Sequence, residues 1–341
     1  MADDLSVPDA APVLELLNAF RKSKVMFAAS KLGVFDALEA AGSKVPELAT
    51  KLNANPDALE RLLNACVLLG LLKKHGGHFS NTPAATAYLT AASPRRMLGY
   101  SNYSDAVLWK LWDHLDDAVR EGKHRWTQEY GWDGPIFSHF FKTPESKREF
   151  LMGMHGFGVI SSPVVVNAVD LSPFHTLVDL GGATGHLTIA ACRRWPQLSG
   201  VVLDLPEAIP LAAEIVGATE VAPRIRTVGG DFFADDLPKG DLYAVGRILH
   251  DWTVEKIERL LAKVFAALPS GGGLLIAEKL LNDDKIGPEW AVLQSLNMLV
   301  CTEGKERTLG EYAALLEAAG FTNVVGVRTG APCDAMLARK P

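Results

Sequence analysis

Thr176-Leu-Val-Asp179-Leu180-Gly181-Gly182-Ala183-Thr184-Gly185 is the stretch on which the fold turns. Residues 176–180 form a short apolar run, and two glycines end it at once. That is the pattern of a buried strand running into a tight turn. Working toward the C-terminus, the rhythm repeats: a helix over 187–195, a strand over 201–205, a helix over 206–216, and strands over 224–228 and 241–249. A long amphipathic helix over 253–268 is closed by Pro269-Ser-Gly-Gly-Gly273. A strand over 274–280, helices near 289–301 and 308–319, and terminal strands near 323–327 and 334–338, spaced for a hairpin, complete the series. Continuous apolar strands separated by helices mean a parallel sheet covered on both faces. Residues 171–341 are therefore expected to form a doubly wound, Rossmann-like α/β domain. Its ligand belongs at the carboxyl ends of the strands.

Before residue 170 the texture is mostly helical. Leu14, Leu17, Phe20, Val25, Phe27 and Ala28 make a helical stripe ahead of Gly33. Residues 46–53 read as a short helix, and Asn55-Pro56-Asp57 as a helix start with Asn55 as cap and Pro56 in the first turn. Residues 71–79 read as a small hairpin turning at Gly76-Gly77. Helix, helix, hairpin is the order of a winged helix, which reads DNA in one setting and packs against a partner in another. Charge decides against DNA: residues 1–90 hold nine Lys/Arg and nine Asp/Glu, and the candidate recognition helix offers only Arg61 against Asp57 and Glu60. Tracking phosphates needs several cations. Residues 101–170 are expected to be a helical connector rich in aromatics, Trp109, Phe137, Phe140, Phe141 and Phe157 among them. Most aromatics at helical spacing are core. Some, with Trp109 the candidate, could line a pocket for a flat ligand.

Composition narrows the function. With 48% hydrophobic residues the chain is not disordered, and a net charge of −6 argues against a general nucleic-acid binder. Cys66, Cys192, Cys301 and Cys333 lie far apart with no CxxC pair, which excludes a disulfide framework and a cysteine metal site. Unpaired cysteines agree with a reducing, cytoplasmic setting. Met1-Ala2-Asp3-Asp4 lacks the pattern of a secretory signal, and no uninterrupted apolar run of about 18 residues suggests a membrane span.

Three acids end three successive strands. Asp179, Asp204 and Asp231 are 25 and 27 residues apart, one βα unit each, so they ring one crevice. The glycine turn lets backbone approach a ligand closely, and an acid ending the second strand is placed to bind both hydroxyls of a ribose. A nicotinamide dinucleotide or S-adenosylmethionine would suit this arrangement. The turn lacks the G-x-G-x-x-G spacing of the dinucleotide fingerprint. Asp179 would also repel a pyrophosphate, whereas it favours the cationic amino-acid end of S-adenosylmethionine.

Asp179-Leu-Gly-Gly-Ala-Thr-Gly185, Gly230-Asp-Phe-Phe233, Arg247-Ile-Leu-His-Asp-Trp252, Gly271-Gly-Gly273 and Gly304-Lys-Glu-Arg-Thr308 occur in this order. In this the chain resembles the small-molecule O-methyltransferases, the family of caffeate-type and acetylserotonin enzymes, over nearly its whole length. The resemblance implies that residues 1–100 are a winged-helix-like dimerisation domain, making the protein a homodimer, and that 101–170 help form the acceptor pocket. It further implies that Gly181 contacts the cofactor, Asp204 the ribose, and Asp231 and Phe232 the adenine. Trp252 would pack near the adenine, and Arg247 sits where many relatives have Lys near the cofactor. His250 matches the general base, Glu278 and Glu306 the acids that orient it, and Met154, Asn297 and Met298 acceptor-pocket positions. Ala183 departs from the family by replacing a third glycine, so its methyl adds bulk beside the cofactor.

The chemistry of a base at His250 stands on its own. A phenol near pKa 10 is a poor nucleophile until deprotonated, and a histidine can take that proton while a carboxylate on its other nitrogen fixes the tautomer. Asp251, next to the base in sequence, is an alternative orienting acid, and Glu306 between Lys305 and Arg307 could be tied up in a surface ion pair. His155 and His186 read as structural. The main reading is O-methylation of a small, aromatic hydroxyl, with no metal, membrane or nucleic acid involved. One alternative is methylation of nitrogen or sulfur, for instance of a thioether acid such as 4-methylthio-2-hydroxybutyrate on the route to dimethylsulfoniopropionate. There the pocket would only align the reactants. The other alternative is a winged-helix, ligand-sensing regulator.

Overall fold

The computed structural model describes residues 8–134 and 143–341. Met1 to Asp4, Phe137, Phe140 and Phe141, invoked above, lie outside the described residues. The chain divides into two compact units, Met1–Asp105 and Ala106–Pro341.

The first unit opens with the helix Ala11–Lys31. A two-residue strand β1 (Ser43–Lys44) leads into the helices Val45–Leu52 and Pro56–Leu68. Asn55 caps the latter by accepting the Ala58 N–H at 3.1 Å, and Pro56 stands in the first turn. Strands β2 (Leu72–His75) and β3 (His78–Asn81) then pair antiparallel, giving the order β1-β3-β2. Gly76 and Gly77 both have positive φ, as a two-residue hairpin turn of this hand requires. Phe35, Leu48, Leu59, Leu63, Cys66 and Phe79 form the core. The stripe on the first helix is only partly used: Phe27 is buried, but Leu17 is 62% and Phe20 53% exposed. Together with the exposed Val13, Leu14 and Leu16 they form an apolar face left open among the described residues.

The second unit holds a seven-stranded sheet. Its strands are β4 (Thr176–Leu180), β5 (Ser199–Asp204), β6 (Ile225–Gly229), β7 (Leu242–Gly246), β8 (Gly273–Glu278), β9 (Thr322–Val327) and β10 (Asp334–Arg339). They lie in the order β6-β5-β4-β7-β8-β10-β9. The first five are parallel, while β10 runs antiparallel between β8 and β9, with Asp334 opposite Glu278. The sheet is thus mixed at one edge, where the C-terminal hairpin inserts its second strand against β8. Side chains alternate between faces: Leu177 joins a core with Val165, Leu187 and Leu242, and Val178 joins another with Tyr243, Ile257 and Tyr312. Helices Pro144–Ala168 and His186–Arg194 contribute to the first core, and helices Val254–Ala267 and Leu309–Ala318 to the second. The helix Pro144–Ala168 is long and apolar enough to cross a membrane by length and composition, yet 61% of its apolar window is buried within the chain.

One expected strand is shorter than its sequence suggests. Residues 241–249 read as one run, but β7 stops at Gly246, Arg247 takes φ +57°, and Leu249–Asp251 is a 3-10 turn. That break lifts His250 out of the sheet ladder to its carboxyl edge.

Candidate active site

The carboxyl ends of β4, β5 and β7 build the crevice. The N–H groups of Gly181 and Gly182 both donate to Leu203 O, at 2.8 and 3.2 Å, which clamps the glycine turn against β5. Gly181 has φ +67°, a left-handed conformation that favours glycine, and a Cβ there would displace the end of the Ile248 side chain. Ala183 also takes a left-handed conformation, φ +48°. Held in that region, an alanine costs about 1 kcal/mol of backbone strain. Its N–H is held by Asp204 Oδ2 at 2.7 Å, while Asp204 Oδ1 accepts from Leu205 at 2.7 Å. Asp204 is only partly covered, and burial pushes its carboxyl up to about 6 although these two N–H groups oppose the shift.

Asp179 is placed differently from Asp204. It is 2% exposed and accepts the Thr188 hydroxyl at 2.8 Å, beneath the turn. Burial, aided by the nearby Asp204 charge, raises it to about 7 against the Thr188 bond. Asp231 accepts the Phe233 N–H at 2.8 Å. Phe232, Phe233 and Trp252 form one aromatic wall, with ring centres 4.7 and 5.3 Å apart along it. The Arg247 guanidinium lies 5.0 Å from the Phe157 ring.

His250 is 3% exposed and ringed by carboxylates. Its Nδ1 is 2.7 Å from Glu306 Oε1 and 3.4 Å from Glu278 Oε2, and its Nε2 is 3.7 Å from Asp251 Oδ1. Of the three carboxylates, Glu306 stands nearest the imidazole. Glu278 Oε1 instead accepts the N–H groups of Ile248 and Leu249, at 2.9 and 2.8 Å, and so holds the turn that carries His250. Glu306 is buried rather than paired at the surface, because Arg307 turns inward and donates to Leu249 O and Trp252 O. Gly304 makes this approach possible: a Cβ there would come within 2.3 Å of His250 O and 2.7 Å of Trp252 N. Burial opposes a charge on His250, but Glu278, Glu306 and Asp251 outweigh it and hold the imidazole up at about 10. Burial raises Asp251 to about 6 and Glu278 to about 7. Ligand atoms of His250, Glu278 and Glu306 all lie within 4.8 Å of one another, a spacing a metal could use, though here Nδ1 is engaged by Glu306.

Asn297 and Met298 are buried on the helix Glu289–Cys301, and Met154 is half-buried on Pro144–Ala168. Trp109 is half-buried on the short helix Trp109–Trp112. It is Trp112 at the other end of that helix whose Nε1 donates to Asn297 Oδ1 at 2.9 Å. The indole is only a donor, so Trp112 fixes which way the amide faces. Sequence reading missed Trp112 and Gly304; the second lies in the quoted 304–308 motif, and nothing in the sequence marks the first.

A sheet of this order is doubly wound, with its ligand site at the carboxyl ends of the strands where the acids stand. The chain matches the O-methyltransferase domain over residues 112–322 and the O-methyltransferase dimerisation domain over 14–91; it belongs to the O-methyltransferase family. It is 40% identical over 333 residues to bovine acetylserotonin O-methyltransferase, covering 96% of each chain. It is 36% identical over 325 residues to 3-hydroxy-5-methyl-1-naphthoate 3-O-methyltransferase of Streptomyces sahachiroi, covering 93% of this chain and 91% of that one. It also spans 98% of its own length but only 54% of a human probable bifunctional dTTP/UTP pyrophosphatase/methyltransferase protein, at 39% identity. Among solved structures, human N-acetylserotonin methyltransferase in complex with S-adenosylmethionine superposes with a TM-score of 0.92 at 36% identity, over 98% of this chain and 99% of that one. The protein is an S-adenosylmethionine-dependent O-methyltransferase, which disfavours the nitrogen, sulfur and regulator alternatives.

Proposed function

We propose that His250 is the general base for methylation of a small aromatic hydroxyl, in a crevice where Asp204 holds the cofactor's ribose. The observation that carries this reading is the 2.7 Å contact between His250 Nδ1 and Glu306 Oε1. With Nδ1 engaged, only Nε2 remains to take the acceptor's proton. The strand ends suit the cofactor: the turn offers bare backbone at Gly181 and Gly182, and Asp204, partly covered at the end of β5, is an anionic acceptor for paired hydroxyls. S-adenosylmethionine supplies the methyl group from a cationic sulfur. Gly181 contacts the cofactor by its backbone, Asp231 and Phe232 take the adenine beside Trp252, and Arg247 borders the cofactor. Asp179 supports the turn from below and, once ionised, adds negative charge near the cationic end.

His250 in its neutral form takes the hydroxyl proton, and its raised basicity matches a phenol near pKa 10. Glu306 fixes the imidazole's tautomer, Asp251 flanks Nε2 and favours the imidazolium once formed, and Glu278 fixes the turn. Met154, Trp109, Asn297 and Met298 line the acceptor side. An aromatic acceptor is supported by relatives that act on acetylserotonin and on a hydroxynaphthoate.

The exposed apolar face of the helix Ala11–Lys31, inside the matched dimerisation domain, supports a homodimer. In this reading residues 1–100 are a winged-helix-like dimerisation domain, 101–170 a connector that shapes the pocket, and 171–341 the cofactor-binding domain. Four free, buried cysteines support a cytoplasmic setting. The test is a labelled-methyl screen across phenols, hydroxyindoles, thioethers and amines, read by product mass. His250→Ala should abolish turnover on the hydroxyl acceptor and spare cofactor binding. Near-normal turnover in that variant would remove the base role.

A further inference from the structure

The helix Pro144–Ala168, which carries Met154 and Phe157, packs against the helix His186–Arg194 that follows the glycine turn. Two histidines fasten the pair. His155 Nδ1 and Thr184 Oγ1 share a hydrogen bond of 2.8 Å, and His186 Nδ1 and Ser162 Oγ another of 2.8 Å. Gly158 makes room for the second, since a Cβ there would lie 2.1 Å from the His186 ring. The first is different in kind, because Thr184 belongs to the turn itself and is fully buried.

Next to Thr184 sits Ala183 at φ +48°, a conformation an L-alanine does not hold unaided. The turn is gripped from both sides. Asp204 on β5 accepts the Ala183 N–H, and His155 on the long helix shares a hydrogen bond with the Thr184 hydroxyl. Release of the second grip lets Ala183 relax toward negative φ, and its N–H then leaves the Asp204 carboxylate. We propose that His155 is a positioning residue for the cofactor: through Thr184 it holds the strained Ala183 turn in its receiving shape and ties that turn to the acceptor-side helix. This rests on the reading above that the turn and Asp204 seat S-adenosylmethionine.

Calorimetry of S-adenosylmethionine binding to the full chain tests it. His155→Ala and Thr184→Val should each weaken binding about fivefold, the weight of one ordinary hydrogen bond, and the double variant should be no weaker than either alone. His155→Asn, whose amide reaches the Nδ1 position, should recover affinity to within about twofold, and Thr184→Ser should match the parent chain. Ala183→Gly should recover part of the loss in the His155→Ala background, because glycine needs no grip to hold positive φ. With both substrates saturating, kcat should stay within about twofold, so the defect appears in the cofactor KM. A purely structural His155 would lower the melting temperature with no rescue by Ala183→Gly, and that result overturns the proposal. So do unchanged affinity in His155→Ala or losses that add fully in the double variant. If Asp204→Ala abolishes binding while His155→Ala is inert, only this proposal falls. If Asp204→Ala binds normally, the assigned seat falls and takes this proposal with it.

Discussion

His250 Nδ1 and Glu306 Oε1 stand 2.7 Å apart in a site where His250 is 3% and Glu306 2% exposed. A buried imidazole in that contact, with two more carboxylates nearby, keeps its proton well past neutrality. The base form therefore grows as pH rises, and kcat/KM should climb through neutral pH, reach half its maximum near pH 10 and level off only above it. Glu306→Gln removes one of the charges that favour the imidazolium, so its pKa falls and the rising limb moves to lower pH. The plateau should drop by roughly tenfold, since a weaker, unoriented base accepts a phenol's proton less readily. A pH–rate profile whose limb stays in place, or moves up, would contradict the assigned dyad.

Asp204→Ala should weaken S-adenosylmethionine binding by about 100-fold or more. The change removes the ribose carboxylate and also the acceptor for the Ala183 and Leu205 N–H groups. Titration calorimetry with an unchanged dissociation constant would place the ribose elsewhere.

Asp179 has a folded pKa of about 7 against an ordinary carboxyl of 3.8, because it is buried. The folded chain thus keeps a proton that the unfolded chain has released between about pH 4 and pH 7. Stability falls as pH rises across that window and stays lower above it. Asp179→Asn should accordingly melt about 3 °C higher than the parent chain at pH 8, with the gap closing toward pH 4. Differential scanning calorimetry with equal melting points at pH 8 would show that the carboxylate is better accommodated than its burial implies.

Leu17→Glu combined with Phe20→Glu puts two charges on the uncovered face of the first helix. Both side chains are more than half exposed, so the chain's own fold should tolerate them with little change in melting temperature. Light scattering should report a monomer mass for the variant and a dimer mass for the parent chain. A dimer in both would move the self-association surface elsewhere.

The strand-turn-strand core was readable because buried parallel strands are apolar without interruption and Gly181 ends the first of them. Asp204 was readable for the same reason, since it ends such a run, whereas Asp179 lies one residue inside β4 and Asp231 follows β6, where Arg226 and Thr227 interrupt the apolar pattern. Three features escaped. The break after Gly246 is hidden because Arg247, at φ +57°, is not a residue whose identity announces a left-handed turn. The choice among Asp251, Glu278 and Glu306 as partner of His250 is set in space: Glu306 arrives from a loop 56 residues away, and its flanking cations suggest a surface ion pair that the inward turn of Arg307 removes. The mixed edge of the sheet was equally silent, because the two terminal strands read as a hairpin whether or not one of them joins β8.

Gly304 lies flat on the peptide groups joining His250 to Trp252. The gap between base and acid is therefore gauged by main chain pressed on main chain, with no spacer side chain to trim or lengthen. A single added methyl at 304 would wedge the loop outward and pull the Glu306 carboxylate off its histidine without touching either ring or carboxyl. In a substitution scan of this loop, the position most intolerant of any replacement should be one that contributes no functional group at all.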